Sequence, residues 1–135
     1  KGMAAAAPGV RAGGSILIAS ACFEGIGNPE YEQVMDMADT PEGFLRRLMA
    51  HEFFIADQWC AQETYQVMRR HPTWLFTGGI PRRKVEQYHF RWADSIESAV
   101  ERILEECGRG ARWAVIPDGP MLILRTKGGA ASHKE

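Results

Sequence analysis

A stretch near the start of the chain, Ser15-Ile16-Leu17-Ile18-Ala19-Ser20-Ala21, does most to restrict the fold. It is an apolar run with no polar alternation. A strand with one wetted face alternates apolar and polar residues, so an unbroken run suits a strand buried on both faces, as in a parallel sheet covered by helices. Thr73-Trp74-Leu75-Phe76-Thr77, after the helix-stopping His71-Pro72, reads as a second strand. Arg112 to Ile116 reads as a further one, and a short, weakly signalled strand is expected around Arg91-Trp92. Met121 to Arg125, reached through Pro117-Asp118-Gly119-Pro120, is expected to close an antiparallel edge hairpin. Buried-type strands separated by helical segments give an α/β class. The expected architecture is a three-layer, mainly parallel, Rossmann-like sheet with helices on both faces. The segments 15–21, 73–77 and 112–116 should be neighbours in it.

The helical segments carry their own punctuation. Residues 1 to 7 favour helix until Pro8-Gly9. Asn28-Pro29 and Thr40-Pro41 each pair an N-cap residue with proline at the first helical position. Those helices should run to about Ala38 and to near Glu52. Asp94 with Glu97 has capping-box spacing, and Ile96, Ala99, Val100, Ile103, Leu104 and Cys107 follow on one stripe. A shorter helix is expected from Pro81 to about His89.

The helix from Asp57 to Arg70 is the most informative. At 100° per residue, Cys60, Ala61, Thr64, Tyr65, Val67 and Met68 fall on one side, which is the core face. Trp59 falls on the other, near Gln58, Gln62 and Gln66. A tryptophan among amides is covered either by another segment of the chain or by a ligand or second domain.

At 135 residues, 45% hydrophobic and 24% charged, the chain is one soluble-type domain, expected over residues 1–127, with a disordered tail over 128–135. A formal charge of −1 gives no electrostatic case for nucleic acid or anionic membrane, and no apolar run approaches the roughly 20 residues of a membrane span. Three widely spaced cysteines without a C-x-x-C pair read as core thiols in a reducing compartment, so the expected location is cytoplasmic. Lys1-Gly2-Met3 leads at once into an Ala-rich helical stretch, as if cut from a longer polypeptide.

Ligands in open parallel sheets sit beyond the carboxyl ends of the strands. Glu24-Gly25-Ile26-Gly27-Asn28 occupies such a position ahead of a helix, and its glycines and N–H groups suit either an anion or an ordinary tight turn. Gly78-Gly79 ends the second strand in the same way. The histidines make no H-x-x-H or H-E-x-x-H spacing, and no metal site is expected. There is no G-x-S-x-G. What remains is a cleft with amides, an indole and a lysine.

Several stretches, in order, resemble the C-terminal domain of the nickel-pincer-nucleotide-dependent lactate racemases and related 2-hydroxyacid racemases. They are Lys1-Gly2-Met3, Gly13-Gly14 with its apolar strand, Glu24-Gly25-Ile26-Gly27, Asp57-Gln58-Trp59-x-x-Gln62 and Ile116-Pro117-Asp118-Gly119-Pro120. The resemblance covers roughly residues 1 to 125. It implies a two-domain 2-hydroxyacid racemase or epimerase whose N-terminal domain holds the nickel-pincer nucleotide, supplies its ligands and carries the acid–base histidines. The C2 hydrogen of a small 2-hydroxy acid would leave as hydride to that cofactor and return to the opposite face. The C-terminal domain would close over the substrate with a lysine and a tryptophan, which map to Lys1 and Trp59, with Gln58 and Gln62 beside them. The cofactor-bearing domain is not in this chain, so the chain alone is expected to be inactive and to bind no nickel. A rival expectation, from the residues alone, is a non-catalytic α/β module holding an acidic small molecule at the Gly25–Asn28 loop.

Overall fold

A computed structural model describes residues 1–122 and Leu124. Three strands, β1 (Ile16–Ala19), β2 (Thr73–Phe76) and β3 (Arg91–Trp92), form one sheet in the order β1-β2-β3. Both pairings are parallel: Ile16 lies opposite Thr73 and Ala19 opposite Phe76, and Trp74 opposite Arg91. The Ile16 N–H to the Pro72 carbonyl (2.9 Å) and the Ser20 N–H to the Phe76 carbonyl (3.0 Å) extend the ladder beyond β1 at both ends.

Among the described residues six α-helices flank the sheet: α1 (Gly2–Ala6), α2 (Pro29–Asp36), α3 (Pro41–Met49), α4 (Gln58–Met68), α5 (Arg82–Gln87) and α6 (Ile96–Cys107). The strand period of two divides the side chains between layers. Ile16 and Ile18 meet Met3 of α1 and Val67 of α4 on one face. Leu17, Trp74 and Phe76 meet Ala99 and Ile103 of α6 on the other. The largest core lies where α2 and α3 pack on α4, around Val34, Met35, Phe44, Leu48, Ala61 and Tyr65. Phe44 and Tyr65 pack as tilted rings 5.0 Å apart. Asn28 and Thr40 cap α2 and α3 as their sequence signals require, each accepting from the N–H three residues on (2.6 and 2.9 Å).

The α/β reading and the parallel pairing of the first two buried-type segments hold. Three expectations do not. Arg112 to Ile116 takes part in no strand, and Trp113 and Val115 stand in solvent. β propensity is largely a preference for cross-strand neighbours, and among the described residues this segment has none. The third strand of the sheet is instead the short β3. Among the described residues no antiparallel hairpin is evident either: the Pro-Asp-Gly-Pro segment enters a 3-10 turn over Gly119–Met121, with Asp118 left-handed (φ 54°), which packs against α1. Ile123 and residues 125–135, including the tail expected over 128–135, lie outside the described residues. Finally, the cap of α6 is Ser95, whose side chain accepts from the Ser98 N–H while the Ser98 hydroxyl accepts from the Ser95 N–H. Asp94 sits one residue too early to cap and accepts instead from Trp92 Nε1 (2.9 Å). With no strand at 112–116 beneath it, α6 buries only Ala99 of its apolar stripe completely, and Ile96 is exposed.

Candidate functional site

A cavity of about 670 Å³ opens at the carboxyl ends of β1 and β2, where ligands of open parallel sheets are expected. Ala19, Ala21, Phe23 and Phe76 give it an apolar lining, and Ser20, Thr77 and Gly78-Gly79 supply hydroxyl and backbone groups. The two strand ends are bound together. The Thr77 hydroxyl donates to the Ala21 carbonyl (3.2 Å) and accepts from the Gly79 N–H (3.2 Å). A Cβ at Gly79 would overlap the Cys22 carbonyl and come within 2.6 Å of the Ala21 oxygen, so this backbone crossing requires glycine. Gly78 has open space around it. Cys22, in left-handed backbone (φ 48°), precedes Phe23, whose ring is 95% exposed at the cavity mouth.

The start of α4 meets the other end of the same loop. Asp57 precedes α4 in the left-handed region (φ 60°, ψ 8°), a conformation costing roughly 1–2 kcal/mol for a residue with a Cβ and visited most readily by Asn and Asp. Its carboxylate does not cap its own helix. It accepts from Asn28 Nδ2 at 2.5 Å, while Asn28 Oδ1 caps α2 through the Tyr31 N–H. One amide therefore fastens two helix starts to each other. Gln58 Oε1 accepts from the Ile55 N–H (2.9 Å) and fixes the approach to α4. Deeper in, Thr64 donates to the Cys60 carbonyl (2.9 Å), so the Tyr31 hydroxyl 3.1 Å away donates to Thr64. Burial raises the pKa of Tyr31, an effect the Thr64 hydrogen bond only partly offsets.

Trp59 is 59% exposed at this edge, while Ala61, Thr64, Tyr65 and Val67 are buried, as the helical wheel requires. Gln62 is half-buried beside it, without a side-chain hydrogen bond to any described residue. Lys1 begins the turn that leads into α1, which packs on α4. Burial and then the carboxylates of Asp57 and Glu63 raise the Cys60 thiol pKa, and the positive charges of Lys1 pull it the other way. Gly2 lies against Pro120 and, at the limit of contact, Ile18. The structure thus brings Asn28, Gln58, Trp59 and Gln62 together around the start of α4, on which α1 packs.

The Glu24–Asn28 loop is differently disposed from a phosphate cradle. Gly25 and Gly27 have positive φ (68° and 106°), as their glycines allow, but the Gly25 N–H is already bound to the Cys22 carbonyl (2.9 Å) and the Tyr31 N–H to Asn28. Glu24 is exposed, and Glu30 and Glu32 occupy the first turn of α2, where their charge offsets that helix end.

Elsewhere the polar groups are used structurally. His71 is buried with Nδ1 3.0 Å from the Gly14 carbonyl, and His89 Nε2 lies 3.1 Å from the Ala38 carbonyl, so those nitrogens carry protons. Among the described residues no group of three or more His, Cys, Asp or Glu is placed to hold a metal ion. A second hollow of about 330 Å³ at the opposite edge is lined by Arg69, Arg70, His71 and Arg91. Arg91 is already paired with Glu106 (2.7 Å), and Arg69 and Arg70 follow the carbonyl end of α4, where cations stabilise the helix dipole.

Sequence reasoning found Trp59 and the two glycine-bearing strand ends. It missed Phe23 as a cavity residue and Asn28 as the bridge to Asp57. Asn28 was visible as a cap and as the end of a possible anion-binding loop, not as a partner of Asp57.

The whole described chain matches one family. Residues 1–124 fit the lactate racemase C-terminal domain. The chain belongs to that family. It is 26% identical over 127 residues to lactate racemase of Lactiplantibacillus plantarum, covering 93% of this chain and 30% of that protein. It is 24% identical over 129 residues to lactate racemase of Thermoanaerobacterium thermosaccharolyticum, covering 94% and 30%. The structure of the lactate racemase apoprotein from the latter organism superposes with a TM-score of 0.84 at 23% identity, over 93% of this chain and 31% of that one. The chain therefore spans about a third of the length of the relatives it matches, and the fold is theirs.

Proposed function

We propose that this chain is the substrate-closing C-terminal domain of a lactate racemase-like 2-hydroxyacid racemase, and that it has no activity by itself. The observation that carries the reading is the exposed Trp59 in the first turn of α4, on which α1 with its leading Lys1 packs, in a chain belonging to the lactate racemase C-terminal domain family. Its partners are the N-terminal domain of the same polypeptide and a small 2-hydroxy acid. When bound, the nickel-pincer nucleotide of the complete enzyme would supply a hydride acceptor for the C2 hydrogen of the substrate. Its ligands are assigned, as the family resemblance implies, to the N-terminal domain of the same polypeptide.

This chain's own residues bind, orient and exclude water. The Lys1 ammonium pairs with the substrate carboxylate, a charge-assisted bond that strengthens as the site dries. The Trp59 indole lies over the closed site and removes water that would compete for the keto acid. Gln58, held by the Ile55 N–H, stiffens the turn ahead of Trp59, and Gln62 offers an amide on the following turn.

The test is racemisation of enantiopure 2-hydroxy acids, beginning with lactate and deuterated at C2, by the complete polypeptide loaded with cofactor. The expected product has inverted configuration and keeps its deuterium. Absence of racemisation across the series would overturn the reading. Inversion with deuterium washed into solvent would replace hydride transfer by proton abstraction.

A further inference from the structure

We propose that Asn28 and Asp57 form a positioning clamp that holds the first turn of α4, and with it Trp59, against the loop leaving β1. The proposal rests on the racemase reading for its catalytic consequence, but its structural part stands on this chain alone.

Asp57 occupies the N-cap position of α4 with a side chain well suited to capping, yet it makes no cap hydrogen bond. The carboxylate points across to Asn28 Nδ2 instead, 29 residues away in sequence. The left-handed backbone at Asp57 aims it there, so a favourable local bond is given up for a long-range one. Asn28 is fully committed in turn: Oδ1 holds the Tyr31 N–H at 2.6 Å and Nδ2 holds Asp57. Asparagine offers an acceptor for the α2 cap and a donor for Asp57 on two separate atoms of one rigid amide. Trp59 lies two residues beyond Asp57, and its indole is 59% exposed, so packing alone does not fix its place. Neither clamp residue needs to touch substrate. They act by holding the turn that carries the indole, and a misplacement of about 1 Å at such a residue can cost on the order of 100-fold in rate.

The chemistry provides a clean test. Asn28→Asp keeps the α2 cap, since aspartate caps as well as asparagine, but replaces the donor to Asp57 with a second carboxylate. Asp57→Asn added to it restores one donor and one acceptor with the roles reversed. Amide hydrogen exchange in this chain should quicken about tenfold at Gln58 and Cys60, whose N–H groups bond the Ile55 and Asp57 carbonyls, in Asn28→Asp, and return near wild type in the double variant. The amides of Tyr31 and Glu32 should stay unchanged throughout. Equal exchange at Gln58 and Cys60 in wild type and Asn28→Asp would overturn the clamp. So would quickening that the double variant leaves uncorrected.

In the complete enzyme the single variant should lower kcat about tenfold or more, with the double variant recovering most of it. Unchanged kcat beside quickened exchange would remove the positioning role while leaving the structural bond. An enzyme that racemises nothing even as wild type would refute the functional reading and leave the exchange result standing.

Discussion

Replacing Trp59 with alanine measures how much of its indole the domain uses for itself. Trp59 is 59% exposed, so about two fifths of its surface is covered. Taking the upper end of the range for a tryptophan, that is about 100 Å² removed from water. At about 25 cal/mol per Å² the covered part is worth at most about 2.5 kcal/mol. An extended reference chain overstates burial, by roughly 10–40%. Alanine also favours the helix over tryptophan, by about 0.5 kcal/mol. The expected net loss is about 1 kcal/mol. Trp74, 5% exposed between β2 and α6, serves as the comparison, and its truncation should cost about 3–5 kcal/mol. The assay is urea unfolding of this chain, wild type against Trp59→Ala and Trp74→Ala, read by circular dichroism. A loss at Trp59 above about 2 kcal/mol, or one equal to that at Trp74, would place the indole in the domain's own core and refute the argument that it faces outward.

Three further outcomes are expected. Gly79→Ala should destabilise the chain by about 1–3 kcal/mol or more because its Cβ overlaps the Cys22 carbonyl, whereas Gly78→Ala should stay within about 0.5 kcal/mol; equal thermal midpoints for the two would contradict the backbone crossing. Tyr65→Phe should be neutral or slightly stabilising, because the Tyr65 hydroxyl is buried without a partner, while Tyr31→Phe loses the bond to Thr64 and should cost about 1 kcal/mol in the same denaturation series. Burial alone would raise the Asp36 pKa, but hydrogen bonds from Lys84, Tyr88 and Gln87 and the Lys84 charge outweigh it and hold it below 3.8. A depressed carboxyl stabilises the fold above its unfolded value and loses that contribution as pH falls through the folded one. Asp36→Asn should therefore flatten the dependence of stability on pH below about pH 4; an unchanged acid limb would show the network to be idle.

How far the residues foretold the fold depends on the range of the interactions that decide each element. β1 and β2 were legible because burial on both faces leaves an apolar run in the sequence. The caps at Asn28 and Thr40 were legible because they are three-residue interactions. Arg112 to Ile116 has the same local composition as a strand, yet a strand needs a neighbour, and the partner is not written in the segment itself. Trp59 could be placed off the core because helical phase is local and the other side of α4 is so plainly apolar. The bridge from Asn28 to Asp57 was invisible, since it needs the left-handed turn at Asp57 and the packing of α2 on α4 together. Phe23 escaped for a related reason: only the folded loop shows that it lines the cavity.

The central claim is that this domain lends Lys1 and Trp59 to a racemase site completed elsewhere in the polypeptide. Steady-state racemisation by the complete, cofactor-loaded enzyme, compared among wild type, Lys1→Ala and Trp59→Ala, tests it most directly. Loss of the carboxylate's cation should raise KM at least about tenfold, and loss of the indole should lower kcat by a similar factor, with thermal midpoints close to wild type. Both variants turning over lactate and its larger analogues at wild-type kcat and KM would contradict the claim.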